Sequence, residues 1–245
     1  SNETIGIIDT KKENNLIVHF TKKIPSDLEG VFTAKVDATK RTKTACNHSA
    51  THLLHHALRK VLGDHVEQKG SLVNSKYLRF DFSHFSKISK EELEEIGNIV
   101  SSEILKNSPL EEFRSMAIDQ AKEIGAMALF GEKYGEKVRV IKFADSVELC
   151  GGIHVPSTSK IACFKILSES SIASGIRRIE AITESTAWSY YKTQDQVTEE
   201  LKTILKNPKD LSKAVLDLSQ KNVQLSKELE KLQKEKARGL KKELV

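Results

Sequence analysis

The sequence has little of what marks secreted and membrane proteins. It contains only 3 cysteines among 245 residues, and three thiols cannot form the disulfide framework of a secreted domain. Its apolar runs are far shorter than the roughly 18 residues that span a bilayer, and the N-terminal residues lack the apolar core of a signal peptide. These absences argue against a membrane partner and predict a soluble protein of a reducing compartment, which we expect to be the cytoplasm.

The net charge of the chain is small as well. The formal net charge is +5, of which +4 comes from the eight Lys or Arg and four Glu of residues 221–245, and only +1 from the other 220 residues. A protein that captures nucleic acid through bulk charge would be far more basic. We therefore expect at most a modest basic patch that could face an RNA.

The hydrophobic periodicities predict an α+β protein. Residues 1–40 contain three short stretches rich in β-branched residues, at 4–9, 16–20 and 30–36, and three strands with open edges indicate part of a small β-barrel. Residues 41–185 interleave helix and strand patterns without a regular βαβ alternation. This pattern favours a mixed α/β domain with a largely antiparallel sheet.

Residues 186–245 change to long helical periodicity, interrupted at Asn207–Pro208, which predicts a C-terminal hairpin of two helices. In the second helix, leucines recur every seven residues and Asn222 lies in the alternate seam; a lone Asn there can fix the register of a coiled coil. Two interpretations stay open. The helix either folds against its predecessor or pairs with another chain, which would make self-association possible. The recurring leucines are Leu211, Leu218, Leu225 and Leu232.

The strongest chemical signal is a set of histidines and one cysteine. The helical pattern of residues 44–62 places His48 and His52 one above the other on the face opposite its leucines. Such an i, i+4 pair can bind one cation. Much later in the chain, Cys150 and His154 bracket two glycines that allow a tight turn around an ion. One thiolate and three imidazoles suit Zn²⁺, so the sequence predicts a zinc site.

Several longer motifs follow one another in a fixed order and spacing. They read NHSATHLLH at 47–55, QKGSLV at 68–73, LRFDF at 78–82, ALFGEKYG at 128–135, ELCGG at 148–152 and GIRRIEA at 175–181. Together these motifs resemble the editing domain of alanyl-tRNA synthetases, and the likeness runs from about Val31 to Ala187. Editing domains of threonyl-tRNA synthetases and free-standing alanyl-tRNA editing proteins share the two metal half-motifs.

The resemblance implies a hydrolase that removes serine or glycine wrongly attached to tRNA(Ala), by cleaving the ester at the 3′ acceptor end. It assigns His48, His52, Cys150 and His154 to the zinc ion. It further implies catalytic or pocket contacts for Thr51 and Gln68. Contacts with the tRNA are expected from Lys69, Arg177 and Arg178.

The family pattern also sets limits. The family usually has Thr before the last histidine, whereas this chain has Ile153, so a hydroxyl beside the metal is missing. Nothing in the chain resembles the aminoacylation motifs of class II synthetases, and we expect no amino-acid activation. We expect an excised piece whose parent has an upstream catalytic region and a downstream C-terminal domain.

Three alternatives stay open at this point. Four protein ligands can close a tetrahedral shell, as in structural zinc sites, whereas catalysis needs a position for water or substrate. The chain could therefore be a zinc-stabilised tRNA-binding module without catalysis, or a segment whose main role is oligomerisation. The sequence also does not single out a general base among His55, His65 and His84.

Overall fold

The computed structural model describes residues 3–14, 16–127 and 135–243. The chain divides into two compact units between Asp37 and Ala38. The predicted domains 1–40, 41–185 and 186–245 stay predictions. Within the described ranges, no helix has both the length and the apolar composition that crossing a membrane requires.

The first unit is an open two-stranded sheet. Strand β1 (Ile7–Glu13) pairs antiparallel with β2 (Leu16–Thr21), and residues 3–37 contain no closed barrel. The strand predicted over 30–36 is wrong, since this stretch is not a strand. The Asp27 carboxylate accepts a hydrogen bond from a backbone N–H two residues on, which is typical of a turn. Val31, the first apolar residue after this turn, is fully exposed. Its side chain therefore makes no packing contact that would stabilise a strand in this stretch.

The second unit combines helices with two antiparallel sheets, which confirms the α+β class. One sheet has the strand order β3-β4-β9-β8, and the other has the order β5-β6-β7. The strands are β3 (Gln68–Val73), β4 (Leu78–Ser83), β5 (Glu111–Ala117), β6 (Lys137–Phe143), β7 (Ser146–Leu149), β8 (Phe164–Ala173) and β9 (Ile176–Thr183). The helices are α1 (Ala38–Leu62), α2 (Lys90–Leu105), α3 (Ile118–Glu123), α4 (Glu184–Ile204) and α5 (Leu211–Glu243), with a 3₁₀ turn at Thr158–Ile161.

Helix α1 carries the two predicted metal-binding histidines and packs against both sheets. It ends at Gly63, whose φ of +111° breaks the helix and whose N–H donates to the carbonyl of Arg59 at 2.9 Å. Glycine adopts this left-handed backbone without the steric cost of a Cβ. Leu54 and Leu58 on the apolar side of α1 are fully buried. The histidine-bearing side of α1 therefore faces β7 and the loop that follows it.

Strand β4 contributes a buried face to the hydrophobic core against which α1 packs. Leu78, Phe80 and Phe82 alternate onto one face of the strand and are fully buried, as the period of two in the sequence predicted. The Phe80 ring lies 5.1 Å from the His55 ring of α1 and 5.9 Å from Phe82, measured between centroids. The aromatic layer of the sheet therefore supports the helix that carries the histidines.

Replacing Phe80 with Ala should destabilise the protein strongly. Because the ring is fully buried, its removal leaves a cavity, and we expect the free energy of unfolding to fall by about 3–5 kcal/mol. Phe85→Ala is the matched control, since that ring is 85% exposed and its loss should change stability by less than about 0.5 kcal/mol. Urea denaturation measures both. Equal effects of the two substitutions would contradict the packing described.

The tail consists of two helices, as predicted. Helices α4 and α5 are separated at residues 205–210, where Lys206 and Asn207 have positive φ and Pro208 follows. The leucine seam of α5 is exposed: Leu218, Leu225 and Leu232 are each more than half exposed. This exposure disfavours the interpretation in which the seam packs against the preceding helix. Self-association through α5 stays a prediction.

Candidate metal centre

The fold brings together the four residues that the sequence singled out as metal ligands. His48 and His52 lie one turn apart on α1, and Cys150 and His154 lie in the loop after β7. One ligand atom from each, either an imidazole nitrogen or the sulfur, lies within 4.8 Å of all the others. Such a group of side chains is able to bind one metal ion.

The two sulfur–nitrogen distances from Cys150 to His48 and His154 fit a tetrahedral ion. Cys150 Sγ lies 3.4 Å from His48 Nε2 and 3.3 Å from His154 Nε2. With metal–sulfur bonds of about 2.3 Å and metal–nitrogen bonds of about 2.0 Å, a tetrahedral centre separates sulfur from nitrogen by about 3.5 Å. The side chains therefore already stand near the spacing that an ion of this size would impose.

The Nδ1 atom of each imidazole in the cluster lies near an oxygen atom of the surrounding protein. His48 Nδ1 lies 3.2 Å from the carbonyl oxygen of Ile153, His154 Nδ1 lies 3.1 Å from Ser49 Oγ, and His52 Nδ1 lies 3.5 Å from a carboxylate oxygen of Glu148. A carbonyl oxygen only accepts, so we infer that Nδ1 of His48 carries the proton. The Nε2 lone pair of His48 is then available to a metal, as in metal sites whose histidines are oriented from behind.

Ile153, where the chain differs from the motif it resembles, contacts the cluster through its backbone. His48 is oriented by the backbone carbonyl of this residue, and a backbone carbonyl is present whichever side chain stands there. The Ile153 side chain itself packs against the hydrophobic core. Ser49 completes the support of this loop, because its Oγ also accepts the N–H of Val155 at 3.1 Å.

Glu148 is a buried carboxylate shared by two histidines of α1. Its Oε1 lies 3.1 Å from His55 Nδ1, and its Oε2 lies 3.5 Å from His52 Nδ1. The second distance is too long for a strong hydrogen bond. His55, one of the candidate general bases, is therefore packed inside the protein beside this carboxylate. Sequence reasoning missed Glu148, although strand alternation places it on the same face as Cys150.

Burial keeps the three imidazoles of the cluster neutral. Desolvation lowers the pKa of His48, lowers that of His52 well below its usual value, and lowers the pKa of His154 to about 3. The neighbouring imidazoles and the Arg139 guanidinium add to the effect on His52 and His154. Neutral imidazole is the form that binds metals. The environment thus favours the protonation state that a metal site requires.

These pKa shifts predict how acid affects the metal-free protein. The unfolded chain takes up a proton on each histidine near pH 6.5, whereas His154 in the folded state does so only near pH 3. Below about pH 6.5 the unfolded state binds more protons, so the free energy of unfolding falls as the pH falls. Urea denaturation between pH 7 and 5.5 should show a shallower fall for His154→Gln. His19→Gln, at an exposed position, should behave like wild type, and identical slopes for all three proteins would contradict the assignment.

Thr51, expected in the substrate pocket, is a buried residue of α1. Its hydroxyl donates to the carbonyl of Asn47 at 2.8 Å. Asn47 itself is a buried junction, since its amide donates to the carbonyl of Asn74 and its oxygen accepts the Thr183 hydroxyl. These bonds tie α1 to the loop after β3 and to the end of β9. Sequence reasoning missed this role of Asn47.

The other predicted contact residues lie on the four-stranded sheet. Gln68 is the first residue of β3 and stands opposite Phe82 on β4. Each of the three cations expected at the tRNA lies beside a carboxylate. The pairs are Lys69 with Glu67 at 2.9 Å, Arg177 with Glu169, and Arg178 with both carboxylate oxygens of Asp81 at 2.6 and 2.8 Å. Of the motif at 128–135, residues 128–134 lie outside the described residues.

The stretch of chain around Cys150 is similar to a known domain family. Residues 138–180 match the family described as the threonyl and alanyl tRNA synthetase second additional domain. The match begins on β6, includes the Cys-Gly-Gly turn and ends on β9. This stretch is therefore similar to a domain described for threonyl- and alanyl-tRNA synthetases.

Comparison with curated proteins narrows the resemblance to one kind of synthetase. The chain is 54% identical over 242 residues to an alanine–tRNA ligase of Christiangramia forsetii, 55% over 243 residues to that of Flavobacterium psychrophilum, and 52% over 243 residues to that of Bacteroides thetaiotaomicron. Each match covers 99% of this chain but only 27–28% of the relative. The resemblance seen in the motifs is confirmed: over nearly its whole length, the chain is similar to a segment that makes up about 27–28% of these alanine–tRNA ligases.

Proposed function

We propose that this chain is an editing hydrolase for mischarged tRNA(Ala). It would cleave the ester between a wrongly attached serine or glycine and the 3′ acceptor end of the tRNA. The observation that supports this most directly is the convergence of four metal-type ligands in a chain that resembles alanine–tRNA ligases over nearly its whole length. We expect no amino-acid activation from this segment.

The chemistry of amino-acid selection supports a separate hydrolytic site. A pocket that accepts alanine rejects a side chain with an added hydroxyl by only about 100-fold, so serine is activated and transferred at an appreciable rate. A second site that hydrogen-bonds the serine hydroxyl can discriminate much better. Alanine lacks the hydroxyl and would leave the polar groups of the site unpaired. Correctly charged alanyl-tRNA would therefore be spared.

We propose Zn²⁺ as the ion of the cluster, held by Nε2 of His48, His52 and His154 and by the Cys150 thiolate. The donor set and the sulfur–nitrogen distances support this choice. Bound zinc would supply polarisation of the ester carbonyl or activation of water. The protein's part is to orient the imidazoles from behind and to keep them neutral.

Thr51 and Gln68 are proposed as the groups that recognise the amino acid. The Thr51 hydroxyl donates its proton to the helix backbone, so its oxygen is left to accept a hydrogen bond from the hydroxyl of serine. Lys69, Arg177 and Arg178 are proposed to contact the acceptor end. Since each is ion-paired in the free protein, phosphate binding would require these side chains to exchange or share their carboxylate partners.

A deacylation assay tests this function. The purified chain is incubated with seryl-, glycyl- and alanyl-tRNA(Ala), before and after metal chelation, and again after Zn²⁺ is restored. We expect seryl-tRNA(Ala) to be hydrolysed at least about 100-fold faster than alanyl-tRNA(Ala), and glycyl-tRNA(Ala) to be hydrolysed faster than in buffer. Chelation should abolish the activity, and zinc should restore it. Rates equal to buffer in the zinc-loaded, folded protein would contradict the proposal.

A non-catalytic role has one observation in its favour. The cluster offers four protein ligands, and four ligands close a tetrahedral shell in structural zinc sites. In that case the chain would be a zinc-stabilised tRNA-binding module. It would bind tRNA(Ala) and unfold at a lower temperature after chelation, yet it would leave all three aminoacyl esters intact in the same assay.

A further inference from the structure

Arg139 contacts the turn that carries the cysteine of the metal cluster. From its position on β6, Nη1 donates to the carbonyl oxygens of Cys150 at 2.8 Å and Gly152 at 2.7 Å. Its Nε donates to Glu112 Oε1 on β5 at 2.7 Å. The backbone of the same residue also accepts the N–H of Cys150 at 3.1 Å. Arg139 thus binds the turn through both its side chain and its main chain.

The register of the sheet explains this reach. Glu112 on β5 and Glu148 on β7 both stand opposite Ile141 of β6. Because side chains alternate along a strand, Arg139 projects from the same face as Ile141. This is the face from which Glu148 reaches the histidines of α1. Strand pairing therefore aims the guanidinium at the turn.

The planar guanidinium suits this task. Two hydrogens on one nitrogen address two carbonyl groups, and the third contact fixes the plane of the fork. A lysine carries the same charge as a point on a flexible stem and cannot reproduce three directed bonds. The contact thereby holds the carbonyl groups on either side of Gly151 in one fixed arrangement.

The Cys150–Gly152 turn has little room to move beside the metal cluster. A Cβ built on Gly152 would lie 2.0 Å from His48 Cε1, so the turn backbone lies directly against a ligand imidazole. The amide N–H of Gly152 also points at Cys150 Sγ, at 3.4 Å. A shift of the turn would therefore displace the sulfur and the ring of His48 together.

The positive charge of Arg139, taken alone, would weaken metal binding rather than support it. A guanidinium beside a bound cation is repelled by it, and the Glu112 carboxylate offsets this repulsion only in part. If Arg139 acted only through its charge, a neutral replacement would tighten metal binding. If it acts by holding the turn, the same replacement weakens metal binding.

We infer that Arg139, held by Glu112, is a positioning residue that keeps the Cys150–Gly152 turn in its metal-binding geometry. This inference rests on the metal centre of the proposed function. It concerns the order of the turn and assigns Arg139 no contact with the reacting ester.

The test compares Zn²⁺ affinity by chelator competition in four variants. Arg139→Lys and Arg139→Met should each weaken binding by about 10–100-fold, the range for groups that support metal ligands. Glu112→Ala should weaken it by a smaller factor of at least about 3-fold. Arg114→Lys is the matched control, because its Nε also pairs with Glu112, at 3.5 Å, from an exposed position, and it should bind zinc as wild type does.

Two further readouts separate positioning from general damage. The thermal unfolding of the metal-free variants should match wild type, and the sulfur-to-metal charge-transfer band of the Co²⁺-loaded protein should weaken in Arg139→Lys. Wild-type affinity and spectrum in Arg139→Lys, or tighter binding by Arg139→Met, would overturn the inference. If Arg139→Lys fails to fold, Glu112→Ala decides by the same affinity criterion. A wild-type chain that binds no metal would refute the metal centre itself, and the inference with it.

Discussion

Cys150→Ala is expected to abolish metal binding together with hydrolysis of seryl-tRNA(Ala). The sulfur is the one soft donor of the cluster and lies 3.3–3.4 Å from two of the three imidazoles. Removing a direct ligand should weaken Zn²⁺ binding by more than about 100-fold, which is the upper end of the loss seen for supporting groups. The rate of deacylation should fall to that of buffer at micromolar zinc.

The control for this substitution is Cys163→Ala. Cys163 lies outside the cluster, and burial raises the pKa of its thiol, so it should contribute nothing to metal binding. Chelator competition and the deacylation assay are run on both variants, and circular dichroism confirms that each is folded. A folded Cys150→Ala protein that keeps wild-type metal affinity or activity would contradict the assigned centre.

Gly152→Ala should damage the metal centre, whereas Gly151→Ala should not. The added methyl at position 152 would lie 2.0 Å from His48 Cε1 and 2.4 Å from His48 Nδ1, whereas a methyl at position 151 meets no atom within 4 Å. Without metal, the His48 ring can rotate away from the added methyl at a small cost in free energy. A bound metal fixes the ring, so the clash should lower the metal affinity rather than the stability of the metal-free protein.

We therefore expect Gly152→Ala to weaken zinc binding by at least about 10–100-fold. The free energy of unfolding of the metal-free protein should change by less than about 1 kcal/mol. Gly151→Ala should match wild type in metal affinity. Isothermal titration with Zn²⁺ and urea denaturation without metal distinguish these effects. Equal metal affinity in the two alanine variants would show that the turn does not lie against His48 as described.

The convergence of the four ligand residues was predictable because their spacing carries geometry. An i, i+4 pair of histidines on an amphipathic helix must share one face, and Gly152 lets the backbone between Cys150 and His154 lie directly against His48. Periodicity likewise predicted the buried face of β4 and the two tail helices. These are local properties of the chain, and local properties are what a sequence displays directly.

The groups that support the cluster could not be found in the same way. Arg139, Glu148 and Ser49 support it only because α1 packs against the β5-β6-β7 sheet in a particular register. Arg178 pairs with Asp81 because these residues stand opposite each other on β9 and β4, and such a pairing is set by the fold. The stretch at 30–36 has a strand-like composition, yet nothing within residues 3–37 pairs with it.

X-ray absorption at the zinc edge, on the purified wild-type chain, tests the central claim most directly. The account predicts one zinc ion per chain, with one sulfur at about 2.3 Å and three nitrogens at about 2.0 Å from the metal. His52→Ala should lose one of the nitrogen neighbours or the ion itself. A spectrum without a sulfur neighbour, or a wild-type chain that binds no zinc at micromolar concentration, would contradict the account.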